Sequence, residues 1–86
     1  MKYRRTETFA KQYRRLPKKL QDQFDERLRL FAIDATNPIL RVHPLIGNYR
    51  GYWSMNVSGE LRALYYYEGE IIVVFAFIGS HSQLYK

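Results

Sequence analysis

The chain has 86 residues, 47% of them hydrophobic, no cysteine, and a formal net charge of +6 at neutral pH. This length supports one core over residues 1–86 and excludes separate substrate and catalytic domains, so any activity has to use the surface of that core. Disulfides and thiolate metal sites are excluded. The charged N-terminus and the shortness of the longest apolar run, Ile71 to Ile78, speak against a signal peptide or a membrane span. The expectation is a soluble cytoplasmic protein whose positive field attracts RNA, DNA, anionic lipid or an acidic protein.

Lys2 to Arg5 reads as a short edge strand. Thr6 is placed to cap a helix in which Phe9, Tyr13 and Leu16 recur at helical spacing. Pro17 breaks that helix and suits the first position of a second, where Leu20, Phe24, Leu28 and Phe31 form one apolar stripe that stops at Asp34 to Pro38. A helical hairpin laid on a sheet follows. Ten of the fourteen Lys and Arg residues precede residue 30, so this hairpin carries most of the field. Asn37 to Arg50 reads mainly as loop, with a short strand around Ile39 to Val42.

Beyond it the apolar period changes to two. Trp53, Met55 and Val57 alternate with Ser54 and Asn56, and Leu61, Ala63 and Tyr65 alternate with Arg62 and Leu64. A three-residue loop, Ser58 to Glu60, would pair Val57 with Leu61 and gather the apolar set on one face, leaving Ser54, Asn56 and Arg62 as a polar cluster on the other. Glu68-Gly69 then turns into a central strand, Glu70 to Ile78, apolar on both faces. A break at Gly79-Ser80 would present His81 and Tyr85 at the edge of this scaffold. The fold class is α+β: an N-terminal strand and a helical hairpin packed on an antiparallel sheet covered on one face.

The chemistry-bearing residues suit metal-independent RNA cleavage, which needs a base for the 2′-hydroxyl proton, a cation for the phosphorane and an acid for the leaving oxygen. His81 and His43 are candidates for proton transfer, because imidazole changes its charge near neutral pH. Arg62 is a candidate for the phosphate, unless it is ion-paired with Glu60, Glu68 or Glu70. Tyr85 offers stacking or a proton. His43 can equally brace its loop, and Tyr85 can simply seal the sheet edge. Arg14, Arg15, Lys18 and Lys19 on the hairpin, with Arg50, read either as solvated basic faces or as a footprint for RNA or an acidic peptide. There is no phosphate-binding glycine loop, no His-Glu-x-x-His helix, no nucleophile elbow and no good metal or cofactor site.

Taken in order, Phe9-Ala-Lys-Gln-Tyr-Arg-Arg-Leu-Pro17, His43-Pro-Leu-Ile-Gly47, Gly51-Tyr-Trp-Ser54, Leu61-Arg-Ala-Leu-Tyr65 and the closing Gly79-Ser-His-Ser-Gln-Leu-Tyr85 resemble the RelE/ParE superfamily of bacterial toxins, and most closely its RelE and YafQ-like branch. The resemblance implies a RelE-like, microbial-RNase-like fold and a ribosome-dependent mRNA endonuclease acting in the A site. It also implies a cognate antitoxin and a toxin–antitoxin hetero-oligomer. His81, Tyr85 and His43 fall where YafQ-like members carry a histidine, an aromatic and another histidine. Arg62 falls where RelE-like members hold the scissile phosphate. Glu60 lies near an acidic family position, and Asn56 replaces a histidine, so both His43 and Glu60 remain open as the base. The rivals are a ParE-like gyrase inhibitor, indifferent to His81 and Arg62, and a noncatalytic basic binding module.

Overall fold

The computed structural model describes residues 1–85; Lys86, one of the basic residues, lies outside them. The elements in chain order are β1 Lys2–Arg5, α1 Glu7–Arg14, α2 Lys18–Ile33, β2 His43–Pro44, β3 Trp53–Ser58, β4 Leu61–Glu68, β5 Ile72–Ser80 and α3 His81–Leu84. The strands form one sheet in the order β1-β5-β4-β3-β2. Its ladders are antiparallel from β2 to β5, but β1 runs parallel to β5, with Lys2 beside Ile72 and Arg5 beside Phe75. The N-terminal strand thus joins the antiparallel sheet as a parallel neighbour, which requires a long crossover, and the intervening chain that carries α1 and α2 supplies it.

Thr6 couples the first strand to the first helix. Its Oγ1 accepts from the Phe9 N–H at 3.1 Å and donates to the Ala76 carbonyl at 2.8 Å, so one hydroxyl both caps α1 and ties it to β5. Glu7 in the first turn and Lys11 and Arg14 in the last complement the helix dipole. Pro17 stands one residue earlier than expected, as the extended residue before α2, where its carbonyl accepts from Leu20 and Gln21. Tyr13 locks the two helices together by donating to Asp25 at 2.9 Å. Burial and the adjacent Asp25 carboxylate raise the Tyr13 pKa above the ordinary phenol value.

The core is strongly aromatic. Phe9 and Phe24 have ring centres 5.2 Å apart, Phe24 meets Phe75 edge to face at 5.3 Å, and Phe31 meets Tyr65 at 5.2 Å. Met55, Val57, Leu61, Ala63 and Ile78 complete it from the sheet. At the rim, the Arg5 guanidinium lies 4.8 Å from the Tyr13 ring centre, a cation–π contact that lets a charged strand residue cover the aromatic cluster.

Three local expectations are corrected. No strand forms at Ile39 to Val42; instead Pro38–Leu40 is a 3-10 turn, because Pro38 presets its first φ and Asn37 Oδ1 caps Ile39 at 3.0 Å. The β3–β4 connection has only Gly59 and Glu60 between the paired Ser58 and Leu61, and a bulge between Asn56 and Ser58 absorbs the difference. The pairs Asn56–Arg62, Met55–Ala63 and Trp53–Tyr65 therefore keep the expected register. Finally, Gly79 and Ser80 do not break the strand but continue it, beside Arg62 and Leu61.

The outer face of the sheet is also partly covered, contrary to the one-face expectation. Tyr49 and Tyr52, from the loop before β3, pack edge to face or tilted against Tyr66 and Phe77, and Leu64 and Val74 are buried on that side. This aromatic lid borders the polar part of the same face.

Candidate active site

Strand register brings the polar residues together. His43 pairs with Ser54 across β2 and β3, and Asn56 pairs with Arg62 across β3 and β4, so all four rise from one face of the sheet. The row then reaches β5 at Gly79. A Cβ at that position would lie 3.0 Å from Gln83 Oε1 and 3.5 Å from Leu84, so glycine is what lets α3 fold back closely on its own strand.

The turn into α3 is a capping box. Ser80 Oγ accepts from the Gln83 N–H at 3.2 Å while the Gln83 side chain accepts from the Ser80 N–H at 2.8 Å. The His81 N–H donates to the Glu60 carbonyl at 2.9 Å, pinning the helix to the β3–β4 turn. One turn of helix separates His81 from Tyr85, whose ring centres are 4.6 Å apart. Tyr49 supports this pair from behind: its hydroxyl donates to the Leu84 carbonyl and its ring meets Tyr85 edge to face.

These elements enclose a cavity of about 430 Å³ lined by Arg41, His43, Leu45, Ser54, Asn56, Arg62, His81 and Tyr85. Four of the five residues expected to carry chemistry line it. Glu60 does not: it projects from the exposed turn and serves the site through its backbone carbonyl. Among the described residues no carboxylate lines the cavity, so the guanidinium groups of Arg41 and Arg62 give it a cationic wall. Arg62 is not ion-paired with Glu60, Glu68 or Glu70. Its Nη1 donates to the Gly59 carbonyl at 2.6 Å and the Leu61 carbonyl at 3.2 Å, and Glu68 pairs with Arg4.

His43 Nδ1 lies 2.9 Å from the Arg41 carbonyl oxygen. A carbonyl can only accept, so Nδ1 carries the hydrogen, and neutral His43 keeps an unprotonated Nε2. Arg41 itself adopts a left-handed conformation, φ 46, at the end of the 3-10 turn. Sequence reasoning counted Arg41 only as a basic residue. The signal that points to it is Asn37-Pro38, which starts a short turn whose exit must reverse the chain into β2.

Among the described residues, no group of three or more His, Asp or Glu side chains is placed to hold a metal ion, and no helix is long and apolar enough to cross a membrane. Arg14, Arg15, Lys18 and Lys19 lie exposed at the α1–α2 corner, away from this cavity, and Lys18 is ion-paired with Asp22, which raises its pKa. Arg15 instead borders a separate groove of about 320 Å³ between α1 and α3. Arg50 is exposed in the loop before β3.

Residues 1–86 match the family described as bacterial toxin of type II toxin-antitoxin system, YafQ. The chain belongs to that toxin family. Its fold is shared with YafQ from E. coli at 19% identity and a TM-score of 0.77, covering 98% of this chain and 97% of that one. A YoeB/ParE toxin from Agrobacterium tumefaciens is similar at 21% identity and a TM-score of 0.78, with 94% and 99% covered. The E. coli DinJ–YafQ toxin–antitoxin complex is similar at 19% identity and a TM-score of 0.75, with 98% and 96% covered. No curated protein matches the sequence. The RelE-like α+β architecture is therefore that of known toxins of this kind.

Proposed function

We propose that this YafQ-family toxin is a ribosome-dependent mRNA endonuclease. The observation that carries the reading is the cavity in which the strand register and α3 bring His43, Arg62, His81 and Tyr85 together with no carboxylate among them. In the proposed reaction, His43 Nε2 takes the proton from a 2′-hydroxyl, and the 2′-oxygen attacks the adjacent phosphorus. Arg62, with Arg41 from the same cavity wall, stabilises the negative charge on the phosphorane. The bond to the 5′-oxygen breaks and that oxygen takes a proton from His81, leaving a 2′,3′-cyclic phosphate and a 5′-hydroxyl. Tyr85 braces His81 and offers its ring to a base of the RNA.

The exposed Arg14, Arg15, Lys18, Lys19 and Arg50, together with the +6 charge, suit a grip on ribosomal RNA in the cytoplasm. A cognate antitoxin is the natural partner of a chain in this family, and the DinJ–YafQ complex shows that a protein of this fold is bound by one. Residues 1–86 would act as a single toxin domain.

Primer extension on a defined mRNA in a cell-free translation reaction, with and without ribosomes, tests the reading. Codon-phased cuts that need ribosomes and vanish with His81→Ala are expected. Intact mRNA with growth arrest through gyrase overturns it in favour of the ParE-like activity, and no growth effect favours a noncatalytic binding module.

A further inference from the structure

Among the described residues, three buried side-chain atoms have no hydrogen-bond partner: Gln23 Oε1, Ser54 Oγ and the Tyr65 hydroxyl. Gln23 belongs to α2 and Tyr65 to the aromatic core, whereas Ser54 lines the cavity. Its side chain is almost completely enclosed, with 1% of the residue exposed. A hydroxyl left unpaired in such a place destabilises the fold relative to alanine, and serine has no packing advantage on a buried strand position to offset that. The unmet bond therefore points to something that enters the cavity.

The position narrows the partner. Ser54 is directly opposite His43 in the β2–β3 ladder and two residue pairs along from Asn56–Arg62, the next position on the same face. It sits between the imidazole whose Nε2 is free and the guanidinium tied to the Gly59 carbonyl. Arg41 and Arg62 offer only donors, and the hydrogen on His43 Nδ1 is already given to the Arg41 carbonyl. The acceptors that the wall does hold, His43 Nε2 and the Asn56 amide oxygen, make no hydrogen bond with the serine hydroxyl. A phosphodiester, with two non-bridging oxygens that only accept, supplies what the hydroxyl lacks and matches the cationic wall around it.

We propose that Ser54 is a substrate-binding residue whose hydroxyl donates to a non-bridging oxygen of the scissile phosphate. The inference rests on the nuclease reading above. It makes the serine costly for the free protein and useful only when RNA is bound, which is the mark of a binding group and not of a structural one.

Four proteins decide it in the ribosome-dependent cleavage assay, each also followed by thermal unfolding: wild type, Ser54→Ala, Ser54→Thr and Ser54→Val. Threonine and valine have the same shape and differ by the hydroxyl alone. Ser54→Ala is expected to unfold at the wild-type temperature or above it, yet to cleave roughly tenfold or more slowly, as befits a lost hydrogen bond to a charged group. Ser54→Thr should cleave at least fivefold faster than Ser54→Val.

If the wild type cuts and Ser54→Ala cuts equally well, the hydroxyl meets only water and this inference falls while the nuclease reading stands. If Ser54→Ala is markedly less stable, the serine is structural and the inference falls again. Equal rates for the threonine and valine variants also overturn it. A wild type that leaves mRNA intact removes the nuclease reading itself.

Discussion

His43 gives its Nδ1 hydrogen to the carbonyl of Arg41 at 2.9 Å, and Arg41 holds that carbonyl in place from a left-handed backbone conformation. One residue thus sets the tautomer of the imidazole through its main chain while its guanidinium lines the same cavity. The two contributions can be separated. Arg41→Gly keeps a residue at ease with positive φ and keeps the carbonyl, so it should fold with little change in stability yet cleave roughly tenfold more slowly. Arg41→Val, whose branched side chain resists that φ, should in addition lose about 1–3 kcal/mol in thermal or denaturant unfolding. Equal stability of the two variants would show that the left-handed turn relaxes without cost.

The choice between His43 and Glu60 as base is open to direct test. Glu60→Gln leaves the backbone carbonyl that holds His81 in place and changes only a carboxylate outside the cavity, so cleavage should stay within about threefold of wild type. His43→Ala should lower it by roughly a hundredfold or more, within the usual range for a lost acid or base. Primer-extension rates at saturating ribosomes provide the comparison, and a strong Glu60→Gln defect would reverse the assignment.

Ser80 tests how far the tail depends on its cap. Ser80→Ala removes the oxygen that accepts from Gln83 and should cost about 1 kcal/mol of stability. Because His81 and Tyr85 both ride on that single turn, cleavage should fall further than the stability loss explains. Circular dichroism and the cleavage assay, run on the same samples, show whether the two effects separate.

Phe24 is fully buried at the meeting of α1, α2 and β5. Phe24→Ala should cost about 3–5 kcal/mol, a large part of the roughly 5–15 kcal/mol available to a domain of this kind. Urea unfolding should show a sharply lowered midpoint.

Asp34 gives a pH dependence. Its carboxylate accepts from Thr36 Oγ1 at 2.6 Å and from the Thr36 N–H at 3.0 Å, and these bonds lower its pKa below the ordinary value. A depressed folded-state pKa stabilises the fold above the unfolded value, and the contribution is lost as pH falls through the folded one. The stability advantage of wild type over Asp34→Asn should therefore be present near pH 6 and shrink as the pH is lowered toward about 3, the range in which carboxylates protonate.

Most of the secondary structure was legible because local chemistry chose it. Thr6 caps where a cap was expected, the α2 stripe packs on the core with Phe24 and Phe31 buried, and the period-two pattern of Trp53 to Tyr65 sets the two faces of β3 and β4. That alternation alone placed Ser54, Asn56 and Arg62 on one side, since a strand offers only two. The family resemblance supplied the class of toxin. Three-dimensional packing decided the rest. Whether β1 runs parallel or antiparallel depends on where the helices carry the chain, and no property of Lys2 to Arg5 contains it. The bulge at Val57 reconciles a tight turn with the burial of apolar side chains, a compromise within the β3–β4 ladder that periodicity alone does not show. Arg41 enters the site, and the Glu60 carboxylate stays out of it, because a left-handed residue and a two-residue turn aim them. Backbone direction at such points is set by what must pack around them, whereas the identity of the side chains they deliver was written in the chain from the start.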